Sequence, residues 1–212
     1  MDVAKTLSEY LGNMKRCRQF TYIDIEPVWV PGTGDIDGFI QDEVVRQLHD
    51  PRVESDGGVR IKWMRAAWDY AINRSQGGIR PDYDDVLGLA ATIEPEMNTN
   101  GFRLMNVYIG GSMGAPPERV PMLMAELFTR VQDVVPEQGR RGPHPDEYRA
   151  DWSKFRDLVQ GVETADDFYL AFEAIHPFGD GNGRTGKVLN NWLLGTLEEP
   201  VLVADYFGLG NP

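Results

Sequence analysis

Residues 176–187 read HPFGDGNGRTGK, a glycine-rich turn set between two amphipathic patterns. Before it, Phe168, Ala171, Phe172 and Ile175 recur at three and four residues, with Thr164 in a capping position and Asp166 and Asp167 one turn on. That spacing predicts a helix over Thr164 to Ile175, because a threonine hydroxyl can accept from the free N–H groups of the first turn and carboxylates favour its positive end. After it, Val188, Leu189, Trp192 and Leu193 share one face of a helix that begins around Arg184 and stops at Gly195. The segment is thus helix, turn, helix.

The remainder of the chain points to the same class. Helical spacing recurs at Val3, Leu7, Tyr10, Leu11 and Met14, at Ile40, Val44, Val45 and Leu48, and at Met64, Ala67, Trp68, Ala71 and Ile72. Pro81 and Asp82 open a helix through Val86, Leu87, Ala90 and Ile93, and Pro121 suits the first turn of one through Met124, Leu127, Phe128 and Val131. A further helix is expected over Trp152 to Val159. Strand character is confined to Phe102 to Ile109, FRLMNVYI, which glycines bound on both sides, so a short hairpin or extended flap is expected there. The fold class is mainly α.

The chain has 212 residues, 42% of them apolar, enough for one sizeable core. Its formal charge of -12 repels phosphate backbones and anionic lipid on average, so nucleic acid and membrane surfaces are not expected partners and any anion site must be built locally. A single cysteine, Cys17, cannot form an internal disulfide, and the N-terminal MDVAKTLSEYLGNMKR lacks a continuous apolar run. Cytoplasm is the expected compartment.

The turn itself has the parts of a phosphate site. Gly181 and Gly183 permit positive φ and close backbone approach, and the following helix offers unpaired N–H donors and a partial positive charge. Asp180 is a hard oxygen ligand suited to Mg²⁺, Arg184 a forked donor for phosphate oxygens, and Asn182 an amide donor to another oxygen. His176 stands beside the cradle, placed to take a proton from an attacking hydroxyl, and Phe178 reads as a plug that fixes the loop on the core. Three rival motifs fail. The run from Gly181 to Lys187 is nearly a P-loop, but Val188 stands where Ser or Thr would meet Mg²⁺ and a helix precedes it. An EF-hand from Asp180 puts Arg184, Thr185 and Asn191 at ligand or glycine positions, and His49 and His144 have no zinc-like spacing.

His176, Phe178, Asp180, Gly181, Asn182, Gly183 and Arg184 match the signature H-x-F-x-[DE]-G-N-G-R of the Fic family (filamentation induced by cAMP). The segment FRLMNVYIGG followed by APPERVPMLMAEL resembles the family's flap, Pro-Pro turn and next helix, and roughly residues 62 to 205 can be read this way. The resemblance implies a Fic-like helical bundle with a short β-hairpin flap. It also implies transfer of AMP from ATP to a Ser, Thr or Tyr hydroxyl of a target protein, with pyrophosphate released. His176 would be the general base, Asp180 the Mg²⁺ ligand, and Gly181, Asn182, Gly183, Arg184 and Lys187 the phosphate-binding set. Asn191 would line the nucleotide pocket, and the flap Val107, Tyr108, Ile109, Gly110 and Gly111 would align the target segment by main-chain pairing. The family also contains enzymes that transfer UMP, phosphate or phosphocholine or remove AMP, and a nucleotide-binding module without catalysis is a further alternative. An antitoxin-like regulator is a partner the resemblance allows.

Two departures bear on regulation. Lys187 replaces the family's second arginine, keeping its charge and losing its fork. The family's inhibitory helix, [ST]-x-x-x-E-[GN], has its nearest match at Thr33 to Gly38, TGDIDG, with Asp37 for the glutamate. Accordingly residues 1–61 are expected to form an N-terminal helical segment packed on the core and carrying a degenerate inhibitory motif of Thr33, Asp37 and Gly38, and residues 62–212 the catalytic core. An alternative reading makes Asp37 a helix cap.

Overall fold

The computed structural model describes residues 35–47, 57–109, 112–139 and 155–203. In chain order the helices are α1 (Ile36–Gln47), α2 (Gly57–Ser75), α3 (Tyr83–Ile93), α4 (Pro95–Asn98), α5 (Val120–Arg130), α6 (Phe155–Gln160), α7 (Ala165–Ile175) and α8 (Asn182–Leu194). Between α4 and α5 stand β1 (Tyr108–Ile109) and β2 (Ser112–Met113), paired antiparallel. The expected mainly α fold with a short hairpin is what the chain forms. The expected helix around Val3 to Met14 lies outside the described residues, as does the position of Trp152.

Local chemistry sets several helix ends. Asp82 caps α3, its side chain accepting from the N–H groups of Asp84 and Asp85 while Asp85 returns a bond to the Asp82 N–H. Thr164 and Asp167 make the same reciprocal box on α7. Gly195 ends α8 in the left-handed region, as expected. α8 begins two residues earlier than the apolar pattern indicates, at Asn182 rather than Arg184.

α8 packs most extensively against α7 and also touches α2 and α3, which makes it the central helix of the bundle; α1 lies against α2. Trp68, Met64, Leu89, Phe168, Phe172 and Phe178 are fully buried in one apolar cluster that spans these helices. Helix α2 runs unbroken from residue 57 to residue 75, so the division placed after residue 61 falls inside a helix.

The expected strand shrinks to its end. Only Tyr108 and Ile109 of the FRLMNVYI segment enter the ladder. Phe102 instead packs on Tyr83 and Phe178, and Arg103 is buried with its guanidinium satisfied by carbonyls, so the core draws this stretch off the sheet.

Close packing of α7 on α8 depends on Gly186. A Cβ there would sit 2.9 Å from the Tyr169 ring and 3.1 Å from the Phe172 ring. Gly186→Val is expected to lower stability by about 2 kcal/mol, since overpacking outweighs any gain from replacing glycine in a helix. A urea midpoint shift at constant slope checks this; an unchanged midpoint would mean the two helices part freely.

Candidate active site

The motif turn is held from beneath and from within. His176 ends α7 with φ 52° and ψ 64°, among the described residues the non-glycine position with positive φ. Phe178 is buried between the rings of Phe102 and Phe172, with centroids 5.4 and 6.3 Å away, and so acts as the expected plug. Asn182 accepts from the Phe178 N–H (2.8 Å) and donates back to the Phe178 carbonyl (3.0 Å). That reciprocal pair closes the loop and uses one of the two amide hydrogens of Asn182. Gly181 has φ 72° and caps α8; a Cβ there would lie 2.9 Å from Glu94 Cγ. Gly183 falls in the first turn of α8 with helical backbone and does not use the positive φ expected of it. The first turn of a helix leaves N–H groups without intrahelical partners, and α8 has no acidic residue in that turn to compete for them.

Charges surround this turn in alternation. Arg184 is buried (side chain 2% exposed) and bonded to Glu94, itself buried at the junction of α3 and α4. Arg60, on α2, lies 2.8 Å from Glu94 and 3.7 Å from Asp180. Burial holds the Glu94 carboxyl above its usual range, partly offset by Arg184. Asp180 is 48% exposed; its Oδ1 accepts from the Gly181 N–H, and the amide of buried Asn98 donates to its carbonyl (2.9 Å). No group of three or more His, Cys, Asp or Glu capable of holding a metal occurs among the described residues. One open hard carboxylate beside a phosphate cradle nonetheless fits Mg²⁺, which usually takes one or two carboxylates and completes its shell with phosphates and water.

The sequence reading of the inhibitory segment is corrected. Lys187 pairs with Glu43, a buried carboxylate of α1. Asp37, in the first turn of the same helix, is 81% exposed and accepts from Arg65 at 2.5 Å. Six residues separate the two acids, about 240° around a helix, so they cannot face one partner. Thr33 lies outside the described residues. Gly38 donates its N–H to the Asp35 carboxylate, which makes Asp35 and not Asp37 the side chain that holds the start of α1.

Asn191 is likewise corrected. Fully buried, it donates to the carbonyls of Lys187 and Val201 and accepts from the Val201 N–H and the Thr196 hydroxyl. These bonds fasten the chain after α8, and none of its polar atoms is left for a nucleotide.

The flap is tied to the histidine by Arg103, which the sequence reading missed. Its guanidinium donates to the carbonyls of His176 (2.6 Å), Ile175 (3.1 Å), Met105 (2.6 Å) and Ala115 (2.5 Å). In β1, Tyr108 pairs with Met113 and Ile109 with Ser112, while the Val107 carbonyl accepts from Gly114; Gly110 and Gly111 lie outside the described residues. Tyr108 is exposed.

The Fic/DOC family profile matches residues 80–194, more than half of the chain. The chain belongs to the Fic/DOC family. A curated relative from Aquifex aeolicus (strain VF5), named a probable protein adenylyltransferase, is 24% identical over 158 residues, 72% of this chain and 42% of the relative. A crystal structure of a Fic family protein from Desulfovibrio desulfuricans G20 is 22% identical, with a TM-score of 0.42, covering 74% of this chain and 42% of that one. The chain thus spans less than half the length of these relatives. The match contains α3 to α8, hence Arg103, Glu94 and the whole motif turn, while Arg60 and Glu43 fall before it. This Fic/DOC member shows no helix long and apolar enough to cross a membrane among its described residues.

Burial lowers the His176 pKa to about 4, with the nearby Arg103 charge adding to the effect and Asp180 opposing it. The imidazole is therefore neutral at physiological pH. Because the unfolded histidine takes up its proton near 6.5 and the folded one near 4, stability from this group is present above 6.5 and falls as pH drops toward 4. NMR of the imidazole should show a midpoint near 4, and one at 6.5 would contradict the buried environment.

Proposed function

We propose that the chain is a protein adenylyltransferase that moves AMP from Mg²⁺-ATP to a Ser, Thr or Tyr hydroxyl of a target protein. The observation that carries this reading is a neutral, half-buried His176 held at the edge of the Gly181 turn, with the uncapped N-terminus of α8 behind it. Its Nδ1 lies against α7, 3.7 Å from Glu173 Oε2 and facing the Glu173 backbone, so Nε2 would be the nitrogen that receives the reacting proton. As the hydroxyl oxygen bonds to the α-phosphorus, His176 takes the hydroxyl proton, and the bond from the α-phosphorus to the α,β-bridging oxygen breaks to release pyrophosphate. The α8 N–H groups and Arg184 hold the phosphate oxygens, with Asn182 acting through the loop it closes. Asp180 would hold Mg²⁺, whose contribution when bound is to neutralise phosphate charge.

The exposed edge of the β1–β2 hairpin can take the target segment by main-chain pairing, and the Arg103 fan fixes the base of the flap against His176. The name of the Aquifex relative supports protein modification, and the cytoplasm is the compartment in which ATP and targets would be met.

A second reading, nucleotide binding without turnover, is favoured by the carboxylates that already hold the two cations of the motif, Glu94 on Arg184 and Glu43 on Lys187. In the adenylyltransferase reading the second of these pairs restrains the enzyme, in the manner of the family's inhibitory glutamate, and an antitoxin-like regulator would act on the same restraint. His176→Ala is expected to keep ATP affinity and lose transfer by 100-fold or more, about the scale of a general base, in an assay of labelled AMP incorporation and intact mass. Full transfer in that variant would sink the proposal. Intact mass also distinguishes AMP from UMP, phosphate and phosphocholine. Glu43→Gln should raise self-modification several-fold while Asp37→Ala leaves it at the wild-type rate; the reverse order would return the restraint to Asp37.

A further inference from the structure

The phosphate cradle has a second guanidinium that lies outside the matched family region. Arg60 occupies the first turns of α2, and its Nη1 bridges two acids of the site, 2.8 Å from Glu94 Oε1 and 3.7 Å from Asp180 Oδ2. Glu94 is pressed against the turn itself, since its Cγ would be 2.9 Å from a Cβ on Gly181. Only one carboxylate therefore stands between the Arg60 guanidinium and the backbone that receives the anion.

Charge and exposure separate Arg60 from the motif's own cations. Arg184 lies beneath the loop, and Lys187 is engaged by Glu43 from α1. Arg60 keeps a solvent face, 23% exposed, on the side where Asp180 is open. Two arginines and two carboxylates make the quartet Arg60, Arg184, Glu94 and Asp180 neutral, whereas a nucleoside triphosphate brings about four negative charges and a bound Mg²⁺ returns two. A cation able to turn outward at the rim answers that deficit.

We propose that Arg60 is an additional phosphate-binding residue, contacting the polyphosphate of the nucleotide at the rim of the motif turn. This rests on the nucleotide-binding reading above. Calorimetry with ATP, ADP and AMP on wild type, Arg60→Ala and Arg60→Lys tests it, alongside melting temperatures. Arg60→Ala should weaken ATP binding about tenfold, the effect of one charge-assisted contact, weaken AMP binding less, and raise KM for ATP with little change in kcat; Arg60→Lys should recover part of the loss.

Unchanged ATP affinity in Arg60→Ala would overturn the proposal. So would an equal loss for all three nucleotides together with a lower melting temperature, the result of Arg60 merely bracing Glu94. Arg60→Gln, which keeps a donor for Glu94 and removes the charge, replaces the alanine variant if that one does not fold, with the same expected order of losses. Absence of ATP binding by the wild type would instead overturn the nucleotide reading itself, and the role of Arg60 with it.

Discussion

Arg103 is the side chain on which the geometry of the site depends. It is buried where α7 ends, and a helix C-terminus presents carbonyls with no partners in the helix and a partial negative charge. The guanidinium answers both, and its remaining donors reach Met105 and Ala115 on the two sides of the flap. Each such charged bond contributes on the order of 1.5–3 kcal/mol. The gap around it is closed to the point that a Cβ on Gly114 would sit 3.2 Å from the guanidinium and 3.5 Å from His176 Cβ. The described base of the flap and the histidine backbone are thereby tied together by a residue that touches neither nucleotide nor target in the proposed reaction.

A second layer of paired charges lies under the nucleotide side. Glu94 receives Arg184 and Arg60, and Glu43 receives Lys187, so a chain of strongly acidic average charge gathers cations around the motif turn by burying acids against them. Removing a buried acid from such a pair leaves an uncompensated cation and is costlier than losing a surface pair. In the proposed reaction the same arrangement would let one turn be stable without ligand and still receive phosphate.

The helices were legible in the sequence wherever the signal was local. Thr164 with Asp167 and Asp82 with Asp85 satisfy N–H groups within a single turn, and no distant residue is needed to read them. The motif turn was legible for a similar reason, its parts lying within nine consecutive positions. What failed were side chains whose partners are set by the fold. Asn191 has the right chemistry for a ligand, yet its polar atoms are taken up by Lys187, Thr196 and Val201. Arg60, Glu94 and Arg103 carry no periodic signature, and each is placed by pairings that include partners 34 to 90 residues away. Asp37 matched a pattern in linear sequence, while helical phase gave Lys187 to Glu43.

The backbone of His176 adds something the chemistry of its ring does not require. An L-residue in the left-handed region pays roughly 1–2 kcal/mol, a penalty glycine escapes. The protein thus carries strain at the histidine of the motif, and in the proposed reaction stability and activity pull this residue in opposite directions. Selection for robustness alone would drift toward glycine here. A His176→Gly change would therefore separate the backbone cost from whatever the side chain does.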